Sequence, residues 1–354
     1  VETSLYREEK RRRALFLSPL VLFCALITVL LLLFLLSLAL GSVAIPLGEV
    51  WNILTGQAVE RESWISIVYK VRLPRALTAL SAGAALGTAG LLMQTFFRNP
   101  LADPFVLGVS SGASLGVALV VLGAGGTVTL GAASAGGDGL LIMAAGAGSA
   151  VAMGAVLLVA RVIRQPITLL VLGLMFSYIT SAAVSLLMHF AAAERIQAYF
   201  NWSVGSFNGV TGSQVTWFVP VVAAAAALAL TLVKPLDALL LGDQYARSMG
   251  VNVGRVRLLV VAATALLTGV VTAFCGPIGF LGIAVPHVAR HLFQTAEHRI
   301  LIPGCLFLGG ITALLASFVA EVPGSSLVLP LNAIMALIGA PVVVWVLLRR
   351  TTLA

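Results

Sequence analysis

Charge is scarce in this 354-residue chain: Lys, Arg, Asp and Glu make up 10% of it, while hydrophobic types make up 60%. Soluble domains carry about a quarter charged residues, so no separate water-soluble domain fits within the sequence. Cysteine is rare too. Cys24, Cys275 and Cys305 all fall in apolar runs, where the thiol serves as a small hydrophobe, and their spacing supports neither a disulfide framework nor a metal site. Lysine occurs only at Lys10, Lys70 and Lys234, after Glu9, Tyr69 and Val233. A phosphate-cradling P-loop needs Gly-Lys followed by Ser or Thr, so the chain supplies no such ATP site. His287-Val-Ala-Arg290-His291 sets two imidazoles on one helical face, but it lacks the glutamate of a zincin helix, and Arg290 would repel a bound cation. A structural role follows for this pair, and an interfacial one for His189. The net charge of +8 is spread over short loops and ends; without a basic face or interleaved aromatics, nucleic acid is not a partner.

Long apolar runs are what the chain has in abundance. A helical span takes roughly 20 such residues, and ten are predicted: 14–41, 75–96, 105–123, 139–162, 166–191, 214–233, 257–275, 281–293, 301–320 and 330–348. The first is far longer than the roughly 7 to 15 residues of a signal-peptide core, so it reads as a retained helix behind a cytoplasmic tail, residues 1–13. With the N-terminus inside, sixteen Lys and Arg residues fall on the cytoplasmic side, and Arg61, Lys70, Arg72, Arg75 and Arg195 fall outside. That asymmetry obeys the positive-inside rule with both termini cytoplasmic. The fold class is therefore an all-α polytopic membrane protein, one transmembrane domain over residues 1–354 in contact with the lipid bilayer. Residues 43–70, with Trp51 and Trp64, and 194–212, with Tyr199, Trp202 and Phe207, are expected along the outer interface, which favours amphipathic aromatics. The Gly- and Ala-rich stretch 123–139 reads as a flexible connector.

Two runs mix helix breakers into this apolar sequence. One is Asn99-Pro100-Leu-Ala-Asp103-Pro104-Phe-Val-Leu-Gly108; the other is Gly276-Pro277-Ile-Gly279-Phe280-Leu-Gly282, with Pro286-His287 after it. Charges and freed backbone groups are costly in lipid, so such runs belong at an edge, in a cavity or against partner helices. By the predicted topology the first follows a helix running inward and the second a helix running outward. Matching interruptions in opposed halves point to an inverted repeat around a transport path. Gly83-Ala-Ala-Leu-Gly87 and Gly112-Ala-Ser-Leu-Gly116 fit the small-xxx-small pattern of close helix crossings. Gly108-Val-Ser110-Ser111-Gly112 also matches a nucleophile elbow, but it opens an apolar helix instead of joining strand to helix, which sets the hydrolase reading aside. The longest cytoplasmic loop, 234–257, reads as short charged helices: Asp243 is expected to cap one that ends near Gly250, and Asn252 to start the next turn. They make a surface for a soluble partner.

Six motifs then stand in order: Arg72-Leu-Pro-Arg75; Asn99-Pro100-Leu-Ala-Asp103-Pro104 with Leu107-Gly108-Val109-Ser110; Gly242-Asp243 with Ala246-Arg247-Ser-Met-Gly250-Val; Gly276-Pro277-Ile-Gly279-Phe280; Pro286-His287-Val-Ala-Arg290; and Ile338-Gly339-Ala340-Pro341. This set resembles the permease subunits of the iron-siderophore, haem and cobalamin (type II) ABC importer family. The resemblance implies a homodimer of ten-helix permeases with an inverted-repeat bundle in the bacterial inner membrane. It also implies two cytoplasmic ATP-binding subunits that hold ATP and Mg, and a periplasmic substrate-binding protein. The implied cargo is a metal chelate, foremost a ferric siderophore, with haem or cobalamin as alternatives. In the same way Arg72 and Arg75 are assigned to binding-protein docking, and Asp243, Arg247, Gly250, Asn252 and Arg255 to ATPase coupling. The gating turns are Asn99, Pro100, Asp103 and Pro104 with Gly276, Pro277, Gly279, Phe280, Pro286 and His287; Met175, Ser177, Ser181 and Asn332 border the path. No catalytic residue, cofactor or metal is implied in this chain itself.

Two departures from the family pattern stand out. Glu321 occupies a position where relatives often carry Arg, and Val328-Leu-Pro-Leu-Asn332 replaces the usual Glu-Leu-Pro-Val-Gly beside the path. The competing class is a stand-alone secondary transporter, which would need a coupling-ion carboxylate; Asp103 is the main candidate, with Asp138 and Glu321 near helix ends.

Overall fold

Ser18 opens the first span: its hydroxyl accepts the Val21 N–H, and Pro19 holds the first helical position, where its missing donor costs nothing. Helix α1 follows over Pro19–Ala39. The computed structural model describes residues 18–123, 128–130, 133–135, 138–163, 165–321 and 328–351. The tail expected at 1–13 lies outside the described residues, as does Arg164. Helices α2 (Leu47–Thr55) and α3 (Glu62–Ile67) come next, in the stretch expected along the membrane surface. A π-helical turn, Val68–Arg72, then leads without a break into α4 (Leu73–Phe97).

Helix α4 is the hub and is buried along almost its whole length. Its small residues allow this. A Cβ on Gly83 would lie 2.1 Å from the carbonyl oxygen of Gly309, and one on Gly309 equally close to that of Gly83, so the two helices cross at backbone contact. After a 3-10 turn (Pro104–Leu107) comes α5 (Val109–Ala118), which uses the second motif in the same way against α6 (Asp138–Val162): Gly112 and Gly148 face each other's carbonyls. Between α5 and α6, where a flexible connector was expected, β1 (Val128–Leu130) pairs antiparallel with β2 (Ala133–Ala135), Val128 opposite Ala135.

The remaining helices are α7 (Pro166–Phe190), α8 (Ala193–Ser203), α9 (Gly212–Thr231), α10 (Val233–Leu240), α11 (Asp243–Ser248), α12 (Val253–Cys275), α13 (Leu281–Phe293), α14 (His298–Ala320) and α15 (Leu331–Thr351). All ten predicted apolar helices are present. Seven helices among the described residues are long and apolar enough to cross a membrane, while the apolar segments Val109–Gly123 and Leu331–Val344 are shorter. Helix α13 has 13 residues, about 20 Å against a hydrocarbon core of about 30 Å. Both α5 and α13 directly follow the two interruptions, so the breakers shorten the helices that come after them. Peripheral α1 packs through Phe23 on Phe293 of α13, ring centroids 4.8 Å apart, and on Phe307 of α14.

Candidate functional site

The first interruption is folded by its own side chains. Asn99 Oδ1 accepts the Leu101 N–H at 3.0 Å and Asp103 Oδ1 accepts the Phe105 N–H at 2.8 Å, the Asx geometry that competes with helix. Gly108 then turns with φ 78° into α5. The second interruption needs outside support. Phe280 has φ 68°, a conformation that costs a bulky residue about 1 to 3 kcal/mol. Two neighbours hold it. Gly339 of α15 leaves the space that the Phe280 Cβ occupies, since a Cβ there would lie 2.5 Å away. Asn332 splints the loop: its Nδ2 donates to Pro277 O at 2.8 Å and its Oδ1 accepts the Gly279 N–H at 3.1 Å. Backbone groups freed by Gly and Pro are thereby satisfied away from water.

The two interruptions meet. His287 Nε2 lies 2.8 Å from Pro100 O; a carbonyl only accepts, so the ring donates there. The Pro104 ring fills the space over Gly282, and Gln94 near the end of α4 donates to Ile283 O at 3.3 Å while accepting from Arg290. Beside this contact opens a cavity of about 470 Å³, whose wall includes Asp103, Ser110, Ser111, Ser177, Phe280 and Asn332. Ser111 and Ser177 join α5 to α7 through their hydroxyls at 2.9 Å. Asp103 is the one charged residue on this wall. Burial pushes its carboxyl up to about 6, against the opposing pull of the Phe105 N–H.

Most residues expected at the gating turns and the path are thus brought together. Two are not. Met175, about 100° around α7 from Leu174, and Ser181, a turn beyond Ser177, are exposed and lie outside the cavity. Ser110, which closes one of the family motifs, and Ser111 were not expected on the path but line the cavity; two hydroxyls opening an apolar helix just after Gly108 were the available signal.

The outer arginines depart from expectation. Arg72 is buried and donates to Leu38 O at 2.7 Å, to Ala39 O at 2.9 Å and to Val43 O. Its five-donor fork gathers carbonyls at and just beyond the end of α1, where Ala39 O also accepts the Ile45 N–H at 2.9 Å. Arg75 is buried as well and pairs with Glu321 at the end of α14. Arg72 thus forms a carbonyl clamp and Arg75 an internal ion pair, and the unusual Glu321 is explained as the counter-charge of Arg75.

At the opposite end the loop 234–257 is anchored twice. Asp243 does not cap its helix, because Gly242 holds the N-cap position; its carboxylate instead takes Arg98 at 2.7 Å and also Arg257. Asn252 does cap, accepting the Arg255 N–H at 3.0 Å, and Gly250 turns with φ 81°. Arg247, Gly250, Asn252 and Arg255 share one cleft. The second anchor escaped notice in the sequence. His298 Nδ1 lies 2.6 Å from Asp237 Oδ1 on α10, and its Nε2 2.8 Å from Thr95 Oγ1 on α4. Nothing in the spacing of these three residues announces the contact. No cluster of His, Cys, Asp and Glu able to hold a metal occurs among the described residues.

A helical membrane bundle broken by two opposed Gly/Pro turns that face one cavity has the architecture of a type II ABC-importer permease. A solved metal-chelate type ABC transporter in an inward-facing conformation matches with a TM-score of 0.81 and 27% identity, covering 94% of this chain and 100% of the other. The chain belongs to the FecCD transport family, which it matches over residues 29–349. Vitamin B12 import system permease proteins BtuC of Salmonella typhi and Salmonella typhimurium are each 35% identical over 347 residues, 97% of this chain and 98% of theirs.

Proposed function

We propose that this chain is the membrane-spanning subunit of a binding-protein-dependent ABC importer that carries a neutral or cationic metal chelate inward across the bacterial inner membrane. The observation that carries the reading is the cavity where both interruptions meet α7. Its charge favours the cargo class: the segments 99–160, 165–194, 258–289 and 300–348 contain no Lys or Arg, and the wall offers only the Asp103 carboxyl. Like charges repel strongly where water is excluded. A cobalamin or a ferric hydroxamate siderophore suits that wall better than a haem with two propionates or a trianionic ferric catecholate. The kinship with vitamin B12 permeases supports the corrinoid within this class.

A second copy of the chain would cover the apolar residues that α7 and α15 leave exposed, among them Ile179, Phe190 and Leu337. Two ATPase subunits would bear on α11 and its flanks, where Arg247 and Arg255 are exposed. Drive requires that the ATPases bind one state more tightly than the other. Their movement reaches the cavity through Asp243 and Arg98, which follows the last turn of α4 and leads into the first interruption. A periplasmic binding protein would deliver the chelate to the other end.

The test is reconstitution with cognate ATPase subunits and binding protein in liposomes, supplying cyanocobalamin, a ferric trihydroxamate or haem in turn. Uptake of a neutral chelate that depends on internal ATP is expected. Haem as the sole cargo would refute the charge argument, and uptake by this chain alone under an ion gradient would establish the secondary-transporter class instead.

A further inference from the structure

Helix α14 starts without a cap of its own: Glu297 holds the N-cap position and makes no side-chain bond to the first turn. A neighbouring helix supplies the acceptor. Asp237 of α10 takes the His298 N–H on Oδ1 at 2.9 Å, and the same oxygen lies 2.6 Å from His298 Nδ1. A carboxylate only accepts, so the ring donates there. The carboxylate also meets the positive end of the 23-residue α14. The imidazole is buried, 1% of its side chain being exposed against 37% for Asp237, and its Nε2 lies 2.8 Å from Thr95 Oγ1 in the last turn of α4. The Thr-His-Asp order invites a hydrolase reading. Thr95 is buried, however, and donates its hydroxyl proton to Leu91 O at 3.0 Å, so no nucleophile is presented. The ring is a spacer that fixes the partly exposed α10 to two buried helices.

The 234–257 loop is tied down a second time, where Asp243 of α11 takes Arg98 and Arg257. Arg98 is the C-cap of α4, so both ties end on the last turn of α4 and its cap. Between Asp237 and Asp243 the chain turns at Gly242, with φ 113°, a residue that leaves the backbone free to bend. A push on α11 is absorbed at this bend if α10 can follow it, and is passed on if α10 is fixed. We infer that His298 is a positioning residue for coupling. By fixing α10 to α14 and α4 it makes the loop bear on the end of α4, so that a displacement of α11 reaches the first interruption, which begins at Asn99, instead of bending the loop at its base. Being buried, His298 touches neither ATPase nor cargo and acts through Asp237 and Thr95. The assignment rests on the importer reading given above.

The complete transporter, with its ATPase subunits and binding protein, is reconstituted in liposomes, and ATP hydrolysed is measured per chelate imported, with cyanocobalamin, a ferric trihydroxamate and haem as probes. His298→Ala is expected to raise that ratio about fivefold while the ATPase subunits still co-purify. Asp237→Ala, at the more exposed end of the contact, should raise it likewise and keeps the test open if His298→Ala fails to fold. His298→Asn, whose amide Nδ2 takes the place of the ring Nδ1 at Asp237, should restore most of the coupling. A role in stability alone would lower the unfolding midpoint of the variants and leave the ratio at the parent value. That result in a folded His298→Ala or Asp237→Ala complex overturns the assignment. An unmodified complex that imports none of the probes with ATP refutes the importer reading and this role with it, whereas a coupled parent with an unchanged ratio in the variants refutes the positioning role alone.

Discussion

A guanidinium inside a helix bundle must find acceptors wherever it points, and this governs both arginines of the Arg72-Leu-Pro-Arg75 run. Arg72 finds three carbonyls around the end of α1, and Arg75 finds Glu321. Arg75→Ala strands the Glu321 carboxylate and is expected to cost about 3 kcal/mol, whereas Arg75→Leu combined with Glu321→Leu recovers most of it; a double-mutant cycle of unfolding midpoints in detergent measures the coupling. Asp103 obeys the same rule with the opposite sign. Its carboxyl is raised from 3.8 to about 6 by burial, so the folded chain holds a proton that the unfolded chain has lost between those values. The part of the stability that Asp103 contributes is therefore fully present below about pH 4 and is lost, on the order of a few kcal/mol, as pH rises to about 6. Asp103→Asn keeps the oxygen that accepts the Phe105 N–H and removes the ionisation. Thermal unfolding midpoints between pH 4 and 8 should decline in the parent chain, and the variant should lose that part of the decline.

Elements are joined here by glycine more than by large side chains. The α4–α14 crossing at Gly83 and Gly309 has no room for a methyl group, because the added carbon would meet a carbonyl oxygen at 2.1 Å. Gly83→Ala is expected to push the helices apart and cost about 2 kcal/mol or more, lowering both yield and unfolding midpoint. Gly139→Ala, on a helix start with nothing within 4 Å, should be neutral or slightly stabilising by helix propensity. The broken helices follow a related rule. Each interruption is tolerated because another element satisfies it: His287 of α13 serves the first, and Asn332 of α15 the second. Both splints cross between elements, from α13 to the first interruption and from α15 to the second.

Across the whole molecule, the hub α4 touches three distant elements. Arg75 near its N-terminal end pairs with Glu321, Gln94 near its C-terminal end reaches α13, and Arg98 just beyond it holds the 234–257 loop through Asp243.

The ten helical segments, the two interruptions and the small-residue crossings were legible in the amino-acid order, because hydropathy, helix breaking and the absence of a Cβ are properties each residue carries with it. Asn252 as a cap was legible for a similar reason: a cap is a local feature. What tertiary structure alone decided is which group meets which. His287 meets a carbonyl 187 positions away and Asn332 meets one 55 away; Arg72 turns inward to α1 and Glu321 answers Arg75. The His298–Asp237–Thr95 contact joins three helices with no trace in the spacing. A polar group excluded from water takes its partner from the neighbours that packing provides, and packing is a property of the folded bundle.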